Sequence, residues 1–146
     1  MFHVTSLREE HLEESYEIEK LTNPTPWTYK NFKSSFEVGH FGLICIYKNQ
    51  IAGFAIYSPI KPEAHLLNIA IAHKFQKKGA GALLLNTIFD QCTVMGIKTI
   101  YLEVRISNIK AILFYEKFGF KKDAIRENYY TGEHKEDALL MSKVLA

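Results

Sequence analysis

Apolar positions along this chain change period several times, and each change marks an element. From Lys98 to Ile106 they alternate: Ile100, Leu102, Val104 and Ile106 fall to one side, Tyr101, Glu103 and Arg105 to the other. That is the period-two pattern of a strand with one face in a core and one polar face. Just upstream, Leu85, Ile88, Phe89, Cys92 and Met95 recur at helical spacing, and Gly96 ends that helix where a left-handed residue is usual. Ala64 to Ala72 is almost wholly apolar apart from His65 and Asn68, which predicts a strand covered on both faces. Between that strand and the helix lies Gln76-Lys77-Lys78-Gly79-Ala80-Gly81-Ala82.

The remaining segments complete an alternating α+β pattern. A short strand around Phe2 to Thr5 is followed by Ser6 and Glu9 at S-x-x-E spacing, a capping box predicting a helix through about Leu21 with Leu12, Tyr16 and Leu21 inward. Pro24 and Pro26 break it before Trp27, and a second helix is expected from Thr28 to Phe36. Leu43 to Tyr47, a turn at Lys48-Asn49-Gln50, and Ile51 to Tyr57 read as a hairpin. Ser107 or Asn108 caps a short helix, Ile109 to Phe118, ended by Gly119. Strands at about Lys121 to Arg126 and Ala138 to Val144 flank a polar hairpin, Glu127 to Lys135.

Composition narrows the classes. At 146 residues, 47% hydrophobic and 23% charged, the chain fits one globular domain over residues 1–146. A net charge of +2 with dispersed Lys and Arg gives no electrostatic footprint for direct nucleic-acid binding. Cys45 and Cys92 lie in apolar segments without CxxC spacing, the pattern of buried reduced thiols in a cytoplasmic protein. The N-terminus lacks a signal-peptide layout, and no apolar run reaches the roughly 20 residues of a membrane span. The six histidines show no pair at metal spacing, so no metal is expected.

The glycine loop is the first candidate for chemistry. Successive backbone N–H groups at a helix mouth bind anions, and glycine lets main chain approach a phosphate closely. The same residues also serve as ordinary turn chemistry. Other positions have plain structural readings: Glu103 as the partner of Arg105 on the same strand face, Tyr115 as a core aromatic, Asn108 as a helix cap and Trp27 as a plug over the core.

Taken together, several segments carry a resemblance. Leu67-Asn68-Ile69-Ala70-Ile71, the Q-x-x-G-x-G loop, Leu102-Glu103-Val104-Arg105, and N-x-x-A-x-x-x-Y from Asn108 through Ala111 to Tyr115 resemble the GNAT acetyltransferase superfamily. Arg126-Glu127-Asn128-Tyr129-Tyr130 and Glu136-Asp137-Ala138-Leu139-Leu140-Met141 resemble, more narrowly, its RimI-type ribosomal-protein-alanine N-acetyltransferases. The likeness runs nearly end to end. It departs at Ala72-His73-Lys74, where the family often has an acidic residue and a proline, and at Ala82, where its loop often carries a basic residue.

The resemblance implies an α/β sandwich: a mixed, mostly antiparallel sheet of about seven strands with about four helices, splayed at a cofactor cleft. It implies acetyl-coenzyme A as donor, held by Ile69, Ala70, Ile71, Gln76, Lys77, Lys78, Gly79, Ala80, Gly81, Ala82 and Asn108. Glu103 is then the base and Tyr115 the acid. Trp27, Tyr129 and Tyr130 wall the groove for the peptide N-terminus of a protein substrate, by resemblance the alanine of the eighteenth small-subunit ribosomal protein. An α-amine with a pKa near 8 costs roughly 3 kcal/mol less to present neutral than a lysine near 10.4, which suits a carboxylate base to a chain terminus. A lysine or small-amine acetyltransferase, or a non-catalytic acyl-coenzyme A sensor, remains the alternative. The expected state is a monomer or weak dimer through an exposed terminal strand.

Overall fold

The computed structural model describes residues 1–145. Strands are β1 (His3–Ser6), β2 (Phe41–Tyr47), β3 (Gln50–Ile60), β4 (Glu63–Ile71), β5 (Thr99–Arg105), β6 (Lys121–Tyr130) and β7 (Glu136–Val144). Helices are α1 (Leu12–Thr22), α2 (Tyr29–Glu37), α3 (Ala80–Met95) and α4 (Ile109–Lys117). All seven strands join one sheet in the order β1-β2-β3-β4-β5-β7-β6. Every pairing is antiparallel except β4 with β5. No helix among the described residues is long and apolar enough to cross a membrane.

Alternation along the strands sorts side chains into two cores. Leu43, Cys45, Ala55, Tyr57, Leu66, Leu102 and Val104 face α3 and α4, where Leu84, Leu85, Ile88, Cys92 and Ile112 meet them. Ile44, Phe54 and Ile56 face α1 and α2, against Leu12, Ile18 and Phe32. The second core stops at β4. On that side Tyr101, Glu103 and Arg105 of β5 are half-buried, outside the apolar cluster, so the polar face predicted for this strand is present. Burial pushes the Cys45 and Cys92 thiols up to about 11, which leaves them unreactive.

Several sequence-based expectations require correction. Ser6 ends β1, paired with Leu43, and the Leu7 N–H donates to the Gly42 carbonyl at 2.9 Å, so the chain is still extended where a capping box was expected. A short turn at Glu9–His11 precedes α1, and the Arg8 N–H is met by His11 Nδ1 at 3.0 Å. Leu21 is 65% exposed; nine residues from Leu12, it lies about 180° around the helix from the inward stripe. That stripe runs through Leu12, Ser15, Ile18 and Glu19. Ile106 falls just beyond β5 and is exposed. The segment read as a polar hairpin from Glu127 is strand as far as Tyr130, with irregular pairing between Arg126 and Tyr130 and Asn128 at φ 52°.

The most consequential correction concerns β4. Its first half alternates between exposed and buried, and from Leu67 to Ile71 every residue is only half-buried. The run is apolar without being covered on both faces, because the sheet opens beside it.

Candidate active site

The opening comes from one extra residue. Ile56 pairs with Asn68 but Tyr57 pairs with Leu66, so Leu67 is a β-bulge, which bends the strand and adds local twist. Parallel pairing of β4 with β5 is confined to Glu63 with Thr99, Ala64 with Ile100 and His65 with Tyr101. Past that point β4 keeps only β3, and β5 keeps only β7. A slot therefore runs into the sheet between Leu66–Ile71 and Leu102–Arg105, edged by main-chain groups that neither strand gives the other.

The loop at the mouth of α3 closes one end of this slot. Gly79 holds φ +94° and Lys77 φ 61°, left-handed geometry that turns successive amides the same way. Among the described residues, the N–H groups of Lys77, Lys78, Gly79, Ala80, Gly81 and Ala82 make no short, well-aligned hydrogen bond to a protein acceptor; the first such bond of α3 is Leu83 N–H to the Gly79 carbonyl at 3.0 Å. Gly81 sits so near α4 that a Cβ there would lie 3.2 Å from the Phe114 ring. Lys77 and Lys78 are exposed beside these amides. Gln76 acts as a tie between elements. Its Nε2 donates to the Ile71 carbonyl at 2.9 Å and its Oε1 accepts from Lys110 at 3.4 Å, joining β4 to the loop and to α4. Ile69 and Ile71 pack toward the α3 core, while Ala70 faces the α1 side. Asn108 caps α4, its Oδ1 accepting the Ala111 N–H at 3.2 Å, and its exposed Nδ2 is left to donate elsewhere.

Glu103 and Tyr115 approach the slot from opposite faces. Tyr115 is buried among the α3 and α4 core residues, whereas Glu103 alternates with Leu102 and Val104 and so projects from the other face of β5. The ion pair between Glu103 and Arg105 left open by the sequence does not form. Arg105 Nη1 instead meets the Glu136 carboxylate at 3.4 Å and the His134 carbonyl at 2.8 Å, and its guanidinium stacks 4.1 Å from the Tyr130 ring centroid. Glu103 has no ion-pair partner among the described residues. Burial, and then the neighbouring Tyr130, raises the Tyr115 hydroxyl well above the ordinary phenol range. Tyr130 is itself pushed up to about 12, chiefly by burial, with Arg105 opposing and Tyr129, Glu103 and Glu136 adding to it. Tyr130 thus lies within electrostatic reach of both Tyr115 and Glu103.

The far wall depends on Arg105 and Glu136, neither of which stood out as a site residue in sequence. Glu136 also accepts the Ser107 N–H at 2.6 Å; hydrogen bonding from the Ser107 side chain first, then, against the opposing effect of burial, from the Ser107 backbone and from Arg105, holds its carboxyl below the usual range. Tyr129 and Tyr130 meet edge to face at 5.1 Å, and Arg126 stacks 4.7 Å from the Tyr129 ring. The only readable signal for Arg105 and Glu136 was their place in the L-E-V-R and E-D-A segments. Trp27, on the α1–α2 loop, is half-buried against Phe32 with ring centroids 6.4 Å apart. It lines an open groove of about 330 Å³ with Leu67, Asn31 and Ser34, so it is both core cover and groove wall. Among the described residues, no three His, Cys, Asp or Glu side chains gather as metal ligands.

In this chain, whose sheet parts beside a helix mouth lined with free amides, residues 4–120 match the acetyltransferase (GNAT) family. The chain belongs to that family and is an acetyltransferase. Within it, the chain is similar to [ribosomal protein bS18]-alanine N-acetyltransferase of Escherichia coli (strain K12), with 36% identity over 140 residues, 95% of each chain. The counterpart from Haemophilus influenzae is 42% identical over 118 residues, 81% of this chain and 80% of the relative. The crystal structure of the ribosomal-protein-S18-alanine N-acetyltransferase from Escherichia coli superposes with a TM-score of 0.92 at 35% identity, covering all of this chain and 95% of the other.

Proposed function

We propose that this protein transfers the acetyl group of acetyl-coenzyme A to the α-amino group of an N-terminal alanine, that of ribosomal protein bS18. The observation carrying the transfer chemistry is the slot with Glu103 and Tyr115 entering from opposite faces, so donor and amine meet without a covalent enzyme intermediate. The choice of acceptor is supported by the near full-length match to bS18-alanine enzymes.

The six unpaired amides from Lys77 to Ala82 fit the pyrophosphate of coenzyme A, with the dipole of α3 and two lysines adding favourable potential. The free main-chain edge of Leu66–Ile71 fits the amide groups of a pantetheine arm, with the Asn108 amide as a further donor. Acetyl-coenzyme A supplies the activated acyl group. Glu103 accepts the proton that the amine loses, directly or through one water, as the new C–N bond forms. Tyr115 donates a hydrogen bond to the sulfur as the C–S bond breaks. Its raised pKa makes the phenol reluctant to ionise, so stabilisation of developing charge outweighs full proton transfer. Trp27, Tyr129 and Tyr130 flank the acceptor. The whole chain, residues 1–146, acts as one catalytic domain.

Incubation with acetyl-coenzyme A and a bS18 N-terminal peptide tests this directly. Mass spectrometry is expected to find one acetyl group on the terminal alanine and none on the same peptide with a blocked N-terminus and an internal lysine. Acetylation of the blocked peptide alone sinks the assignment.

A further inference from the structure

We infer that Glu19 is a positioning residue for the acceptor, a buried carboxylate on α1 that sets Trp27 through its main-chain amide. The inference rests on the acceptor reading above. Glu19 is fully buried, in the stripe that α1 turns toward the sheet. No cation reaches it among the described residues, so packing alone would favour an apolar side chain there. What the carboxylate does instead is hold a loop. Its Oε2 accepts the Trp27 N–H at 3.0 Å and the Asn23 Nδ2 at 3.1 Å. Asn23 Oδ1 in turn accepts the Thr25 N–H at 3.0 Å, and the Tyr16 hydroxyl donates to the Trp27 carbonyl at 2.8 Å.

Both main-chain polar groups of Trp27 are therefore fixed by side chains of α1. The loop needs this external hold because Pro24 and Pro26 have no N–H to give. Trp27 in turn faces Leu67, the bulge residue that opens the slot, across the shared groove. The other carboxylate oxygen, Oε1, has no partner, nor does the fully buried Ser15 Oγ one turn earlier on α1. Asn68 Nδ2 is likewise unpaired; Asn68 pairs with Ile56 and so shares the sheet face on which α1 packs. A carboxamide fits at position 19: its oxygen takes over the Trp27 N–H, and its NH2 occupies the side where Oε1 has no donor.

Trp27 is the only tryptophan in the chain, so its emission reports the anchor without labelling. Steady-state kinetics would be run on wild type, Glu19→Ala, Glu19→Gln and Tyr16→Phe with an N-terminal alanine peptide and acetyl-coenzyme A. Glu19→Ala is expected to raise the peptide KM about tenfold, leave the acetyl-coenzyme A KM within about twofold, and red-shift Trp27 emission. Glu19→Gln is expected to restore the peptide KM to within about threefold of wild type. Equal rises in both KM values, an unchanged peptide KM, or failure of glutamine to rescue overturns the inference. If Glu19→Ala does not fold, Tyr16→Phe, which frees the other main-chain group of Trp27, is expected to raise the peptide KM and red-shift the emission while Glu19→Gln does neither; an unchanged peptide KM in Tyr16→Phe, or a large rise in Glu19→Gln, overturns the inference. If wild type ignores the peptide, the acceptor assignment is what fails, and the emission of the free variants still decides whether Glu19 anchors Trp27.

Discussion

The loop ahead of α3 and the β6–β7 hairpin both serve the slot, yet they are made differently. The loop is local in what it offers: a handful of successive residues, two of them glycine, present main-chain amides, and the side chain that ties it to β4, Gln76, lies in the same run. The hairpin is held by long-range contacts, with Arg105 reaching 29 residues along the chain to the His134 carbonyl and 31 to Glu136. A main-chain site tolerates any side chains that allow its φ/ψ angles, so it suits a donor shared by many enzymes. A wall made of stacked side chains changes with each substitution, so it suits the selection of one acceptor. Variants on the two sides should consequently disturb different Michaelis constants, and variants between them should disturb turnover.

Between the two regions, Glu103→Gln is expected to have the largest effect, lowering kcat by about 10²–10⁴ with both KM values little changed. A kcat within a few-fold of wild type would remove Glu103 as the base. On the donor side, Gly53→Ala comes next. A Cβ there would meet the Ala70 carbonyl oxygen at 2.6 Å and Ile71 Cδ1 at 2.5 Å, forcing the free half of β4 outward. The expected cost is about 1–3 kcal/mol in urea unfolding, together with a weakened acetyl-coenzyme A KM and an unchanged peptide KM.

On the acceptor side, Arg105→Lys is expected to raise the peptide KM about three- to tenfold and spare the donor KM, because an ammonium that meets Glu136 and the His134 carbonyl, as Arg105 Nη1 does, gives up the planar stack on Tyr130. Equal changes in the two constants would dissolve the contrast between the regions. The smallest effect belongs to pH. The Glu136 carboxyl titrates below its unfolded value, so its hold on Ser107 and Arg105 is complete above the ordinary carboxylate range and is lost as pH falls through the lowered folded value. The protection factor of the Ser107 amide, its exchange rate normalised to the intrinsic rate at each pH, should fall on acidification below that range while the amides of α3 stay protected.

How far the sequence revealed each region follows from the same contrast. The α3 loop, its flanking strand and helix, Gly96 and the Asn108 cap were legible because each depends on residues within a few positions of one another. The alternation of β5 likewise placed Glu103 on a polar face. The role of Arg105 was not legible, since a neighbour two residues away looked like its partner while the real one waited in another strand. Leu67–Ile71 looked doubly covered because an apolar run reads the same whether it lies in a closed sheet or lines an opening. The Ser6 and Glu9 spacing promised a helix start, but pairing with β2 kept that segment extended, an instance of tertiary contacts overriding a local signal. Glu19 could not be found by pattern at all, because a glutamate in a helix normally faces water.

Leu67 has one more implication. A bulge absorbs a residue without reversing the order in which its neighbours face the two layers: Leu66 and Ile69 pack with one, Leu67 and Ala70 with the other. A chain lacking Leu67 would lose that one contact with the α1 side but keep every other residue on its present face, while β4 ran straight and could zip further along β5. Such a protein should melt no lower than its parent and turn over nothing, a pairing that a melting curve and an activity assay can check side by side. That outcome would separate foldability from catalysis at a single position.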